Sequence, residues 1–162
     1  VMVVGDHVLL AAVLQQRAGA GQHGIVVPLR ELAAGVAVHV VVVDDEVGAL
    51  TLIGIMLERG GFNVLKAKNA ADALAVLDQH LPDLIILDVM MPGGMDGIEL
   101  CSVIRQRSDT AALPVLILSA RNDAASIMRG MDAGANDYLP KPILHHDLVA
   151  KVRNMLAQAE TS

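Results

Sequence analysis

The chain has 162 residues, 54% of them hydrophobic, which amounts to about one domain with ample material for a core. A formal net charge of -6 and a sequence pI near 5.4 argue against direct nucleic-acid binding, which needs a basic patch. No apolar run reaches membrane-span length, and the lone cysteine, Cys101, excludes an internal disulfide and fits a buried thiol on a helix.

Residues 1–37 form an extension too short to bury a core alone. Val8–Leu14 is an apolar run before Ala18-Gly19-Ala20, the outline of a signal peptide, but Asp6 stands where such a peptide carries positive charge. Gly19-Ala20-Gly21-Gln22-His23-Gly24 fits G-x-G-x-x-G, with Asp44 at the ~20-residue spacing of a dinucleotide fingerprint. That fingerprint requires a strand directly before it and a helix directly after. Here Gln15-Gln16-Arg17 precedes and Ile25-Val26-Val27-Pro28 follows, which is better read as a Gly-rich link between short helices near 6–17 and 29–34. Val8, Leu9, Ala12 and Val13 share one helix face. That stripe, with Ile25–Leu29, predicts docking on the rest of the chain or on a twin copy to give a homodimer.

From Val40 the chain alternates strand and helix. Val40–Val43 is a continuous apolar run, followed by a helix over Val47–Arg59 with Val47, Leu50, Ile53, Met56 and Leu57 inward and Gly60-Gly61 as its stop. A short strand over Phe62–Leu65 leads to a helix over Ala70–Leu81, with Ala73, Leu74 and Leu77 inward and Pro82 ending it. Then come a strand over Leu84–Leu87, a loop over Asp88–Gly97, a helix over Ile98–Arg107 and a strand over Val115–Leu118 with Ser119 at its tip. A helix over Asp123–Ala133, a strand over Asp137–Leu139 and a helix over Leu144–Ala157 complete the array, leaving 160–162 as a tail with no room for a C-terminal effector. This spacing predicts a parallel sheet with helices on both faces.

Uninterrupted Val/Ile/Leu strands are those buried on both faces of a parallel sheet, and the functional crevice of such a sheet lies beyond their carboxyl ends. Asp44 and Asp45 close the first run and Asp88 closes the third, so the fold gathers their carboxylates at one edge. Like charges that close repel and raise one another's pKa unless a cation sits among them. A hard divalent ion suits them, and Mg²⁺ is favoured where carboxylates meet phosphate oxygens. Taken singly, each residue also has a bland role: Asp45 as a helix N-cap, Ser119 in a turn, Lys141 as a solvated charge between prolines.

Together they carry a likeness. From about Val38 to Ala159 the chain resembles a response-regulator receiver domain of two-component signalling. The matching pieces are V-V-V-D-D-E at 41–46, L-I-I-L-D-V-M-M-P at 84–92, M-D-G at 95–97, L-S-A at 118–120 and D-Y-L-P-K-P at 137–142. The resemblance implies a flavodoxin-like, doubly wound five-strand parallel α/β sheet over 38–159. It implies phosphorylation of Asp88 by a sensor histidine kinase or phosphotransfer protein. A Mg²⁺ site is implied at Asp44, Asp45, Asp88 and the Met90 carbonyl, with Asp45 the direct ligand of the acidic pair. Ser119 and Lys141 would meet the phosphoryl oxygens, and Tyr138 would be the switch aromatic. Such a domain is a cytoplasmic signalling switch that catalyses its own Mg²⁺-dependent phosphotransfer and dephosphorylation and signals to a partner or output domain.

Pro92 is followed by Gly93-Gly94 before Met95, one residue more than the family's short turn, which bears on the start of the next helix and on phosphoryl lifetime. A haloacid-dehalogenase-type phosphohydrolase also uses an aspartyl nucleophile, but it resembles Asp-x-Asp, whereas Met90 stands at the second position. The switching face is expected around Met128, Tyr138 and the last helix, with Arg129, Asp137, Lys151 and Arg153 as charges for a partner. Methionines on helix faces are expected to fill the core, and His145-His146 to face solvent without a metal.

Overall fold

A computed structural model describes residues 38–120 and 123–161. The two expected N-terminal helices, the Gly19–Gly24 motif and the apolar stripe at Val8–Val13 therefore lie outside the described residues. The elements are β1 (His39–Val43), α1 (Val47–Arg59), β2 (Asn63–Ala67), α2 (Ala70–Gln79), β3 (Leu84–Asp88), α3 (Gly97–Gln106), β4 (Val115–Ser119), α4 (Ala124–Asp132), β5 (Asp137–Pro140) and α5 (His145–Thr161). The strands form one parallel sheet in the order β2-β1-β3-β4-β5. This is the expected flavodoxin-like architecture.

The three central strands are buried along their whole length, as their unbroken apolar runs require. Their side chains alternate between two cores. Val41, Val43, Ile85, Leu87 and Val115 face Ala73, Leu77, Leu100 and Ile104 of α2 and α3. Val40, Val42, Leu84, Ile86 and Leu118 face Leu50, Ile53 and Leu57 of α1 and Leu148, Val152 and Leu156 of α5. β1 and β3 are neighbours whose connections leave in opposite directions along the sheet, which opens the crevice at their carboxyl ends.

The helix starts are set by side-chain caps. Glu46 accepts hydrogen bonds from the backbone N–H groups of Gly48 and Ala49, so Glu46 and not Asp45 caps α1. Asn69 caps α2, and Asp96 with Glu99 forms a reciprocal capping box on α3. The extra glycine is absorbed ahead of that box, where Gly93 and Gly94 take φ of 83° and 148°. α3 starts at Gly97, one residue earlier than expected.

Several expectations are corrected. Val47 is 62% exposed, because as the first residue of α1 it precedes the turn that reaches the sheet. α2 ends at Gln79, ahead of Leu81, with His80 already extended. α5 continues to Thr161, since nothing after Leu144 is a glycine or proline that would stop it. Met91 and Met155 are buried, but Met90, Met128 and Met131 are exposed, so core filling accounts for only part of the methionines. Cys101 is buried, and His145 and His146 face solvent, as expected.

Candidate functional site

Asp44, Asp45 and Asp88 come together at the β1–β3 crevice, where each offers one carboxylate oxygen and all three atoms lie within 4.8 Å of one another. Asp44 follows β1 and Asp88 ends β3, and the register Val43↔Leu87 sets them side by side. Asp44 and Asp88 are buried, whereas Asp45 is exposed. Lys141, in the loop after β5, places Nζ 3.2 Å from Asp88 Oδ1. The same oxygen accepts a longer bond, 3.3 Å, from the Met90 N–H.

The pocket holds more acid than its single lysine balances. Asp44 Oδ1 accepts from the Glu46 N–H at 3.0 Å, but Asp44 Oδ2 is buried with no hydrogen-bond partner among the described residues. Burial, with the Asp88 charge adding to it, pushes the Asp44 carboxyl up to about 6. Clustered carboxylates, one with an orphaned buried oxygen, fit a hard divalent cation, whose oxygen-rich coordination would satisfy that atom.

Ser119, at the tip of β4, is buried, and its Oγ has no partner among the described residues. Its carbonyl accepts from the Lys141 N–H at 2.8 Å, and Ser119 pairs with Pro140 in the β4–β5 ladder. The hydroxyl and the ammonium therefore come from adjacent strand ends. Met90 is 64% exposed on the β3–α3 loop. Tyr138 lies two residues before Pro140 on β5, opposite Ile117, with its side chain partly in solvent.

The charges expected on the switching face divide. Asp137 and Lys151 pair with each other at 3.0 Å, Arg153 donates to the Gly60 carbonyl at the end of α1, and Arg129 is exposed. Gly97 closes the Met95-Asp96-Gly97 motif, and its role is steric. A Cβ there would fall 2.1 Å from the Asp88 carbonyl oxygen, so glycine lets α3 start directly against the backbone of Asp88. Only the tertiary approach reveals that constraint.

Comparison with known proteins agrees with this geometry. Residues 40–153 match the family model of the response regulator receiver domain. The chain is 41% identical over 121 residues to the phosphate regulon transcriptional regulatory protein PhoB of Rhizobium meliloti, covering 75% of this chain and 53% of that protein. It is 38% identical over 121 residues to the alkaline phosphatase synthesis transcriptional regulatory protein PhoP of Bacillus subtilis, covering 75% and 49%. The chain thus spans about half the length of the curated relatives it matches. Among solved structures, a putative response regulator from Chloroflexus aurantiacus superposes with a TM-score of 0.72 at 38% identity, over 75% of this chain and 98% of that one. The dehalogenase-type alternative receives no support from these matches. No helix among the described residues is long and apolar enough to cross a membrane.

Proposed function

We propose, from the premise that this chain belongs to the response regulator receiver domain family, that it takes a phosphoryl group onto Asp88 in a Mg²⁺-dependent reaction and signals by the change that follows. The observation that carries this reading is the buried Asp88 carboxylate, held by Lys141 Nζ at 3.2 Å beside Asp44 and Asp45.

The nucleophile is the Asp88 carboxylate. An oxygen of Asp88 forms the new O–P bond as the bond from phosphorus to the donor breaks, and the donor keeps that electron pair, as imidazole nitrogen or as acetate. Lys141 and the Ser119 hydroxyl, the latter with no partner among the described residues, supply positive charge and a hydrogen bond to the transferred oxygens. Asp44, Asp45, Asp88 and the Met90 carbonyl would hold the Mg²⁺, which when bound neutralises the carboxylates and draws charge from the phosphoryl oxygens. Val47, Met90 and Leu144 are each more than half exposed, and all three belong to segments that border the pocket. An apolar rim around a charged centre fits docking of a phosphodonor protein, here a sensor histidine kinase or phosphotransfer domain. Tyr138 turning toward Ser119 is the expected switch.

Acetyl phosphate with Mg²⁺ should label the protein once, at Asp88, and chelation should stop it. Asp88→Asn should abolish the label, because an amide is neither a nucleophile nor an anionic ligand. Undiminished labelling of that variant would overturn the assignment.

A further inference from the structure

The helix beside the phosphoryl-sensing strand is poorly anchored. α4 has nine residues and buries only Ser126 and Gly130, neither of which offers an apolar side chain to the sheet. Gly130 lies so close that a Cβ would fall 2.3 Å from Ile117 Cδ1, while Met128 and Met131 point into solvent. An element with so few buried apolar contacts belongs to the low-stability end of a fold.

Its C-terminal end is held differently, by a polar clamp from α3. Arg105 Nε donates to the Gly134 carbonyl at 2.9 Å, Nη1 to Leu113 at 2.7 Å and Ala111 at 3.3 Å, and Nη2 to Asn136 Oδ1 at 2.7 Å. Asn136 Oδ1 also accepts from the Val115 N–H at 2.8 Å, which ties the clamp to the start of β4. One turn earlier on α3, Cys101 Sγ donates to the Ala133 carbonyl at 3.7 Å. No carboxylate among the described residues pairs with Arg105; the guanidinium rests on the Ala111 and Leu113 carbonyls of the loop before β4 and, at Gly134, on the negative end of the α4 dipole. At the other end, Asp123 caps α4 through a 3.2 Å bond from the Ser126 N–H and follows the Ser119 strand tip within a few residues.

We propose that Arg105 is the pivot of the switch: it fixes the C-terminal end of α4, so that a displacement begun at Ser119 tilts the helix about that end and re-presents Met128 and Met131. Arg105 is a positioning residue that touches neither the phosphoryl group nor a partner. The inference rests on the phospho-accepting reading above.

Amide exchange of the full chain, with and without Mg²⁺ and beryllofluoride, tests it in wild type, Arg105→Gln, Arg105→Lys and Asp123→Ala. In wild type the response to beryllofluoride should be graded along α4, largest at 124–128 and smallest at 131–136. Arg105→Gln should flatten that gradient and shift the beryllofluoride midpoint by roughly two- to tenfold. Arg105→Lys keeps the charge but not the fork, and should recover part of the gradient. Asp123→Ala should steepen it. If Arg105→Gln raises exchange uniformly and keeps the gradient, the residue is only structural and the pivot is overturned. A wild-type response that is flat along α4 overturns the pivot alone, whereas no response at any residue overturns the phospho-accepting reading with it.

Discussion

The acidic pocket and the half-buried Arg105 clamp are two ways of holding charge in one small domain. In the clamp four of the five guanidinium N–H donors meet an oxygen, with Nε, Nη1 and Nη2 all engaged. In the pocket Asp44 Oδ2 and Ser119 Oγ are buried with no partner among the described residues, and three carboxylates share one lysine. Satisfied charge stabilises a fold, whereas unsatisfied charge costs stability and is retained where a ligand completes it. The domain therefore holds its strain at the β1–β3 edge and its rigidity at the far end of α4.

Substitutions should separate the two regions by the sign of their effect. The largest loss is expected at Gly97→Ala, where the added Cβ meets backbone rather than a flexible side chain. Urea unfolding should show a cost of about 2–3 kcal/mol, with slower Asp88 labelling because the phosphoacceptor backbone is displaced. Wild-type stability and labelling there would mean that α3 can start elsewhere. Arg105→Gln should cost about 1–3 kcal/mol, since it strands carbonyl oxygens in two loops. A neutral result would put the clamp on a par with ordinary surface contacts.

Removing charge from the pocket should have the opposite sign. The Asp44 carboxyl, raised to about 6 by burial and the Asp88 charge, holds its proton more tightly folded than unfolded. Without Mg²⁺, stability should accordingly fall as pH rises from about 4 through 6, by on the order of 1–2 kcal/mol. Asp44→Asn keeps an oxygen for the Glu46 N–H, so it should flatten that pH dependence and stabilise the Mg²⁺-free protein near neutral pH while impairing Mg²⁺ binding. Stability that instead rises across this window would place the buried charge elsewhere. The smallest effect on the fold is expected at exposed Asp45. Asp45→Ala should leave unfolding unchanged yet weaken Mg²⁺ about tenfold, or ~1.4 kcal/mol, in a metal titration.

Most of this architecture was legible because its signals are local. Val40–Val43, Leu84–Leu87 and Val115–Leu118 announce buried strands by composition alone, and the carboxylates that close the first two follow directly. Local signals were weaker at element ends. α1 was assigned correctly from Val47 to Arg59, but its cap is Glu46, a residue whose reach back to two N–H groups depends on its rotamer. Val47 fits the helical period and is nevertheless exposed, because periodicity does not tell where the sheet ends. Arg153, expected as a charge for a partner, also donates to the Gly60 carbonyl, because the fold brings α5 beside the end of α1.

Asp44, Asp45, Asp88, Ser119 and Lys141 could be chosen from sequence because each sits at a strand end, and parallel strands deliver their ends to one edge whatever the loops do. Tertiary structure decided what surrounds them. That Asp44 Oδ2 and Ser119 Oγ lack partners among the described residues is a statement about packing from several elements, not about their neighbours in the chain. The clearance of Gly97 over the Asp88 carbonyl, and the convergence of Ala111, Leu113, Gly134 and Asn136 on Arg105, likewise join segments that only packing brings together. Strand and helix formation is written in spacings of two to four residues, while the satisfaction of a buried charge depends on contacts from anywhere along the chain.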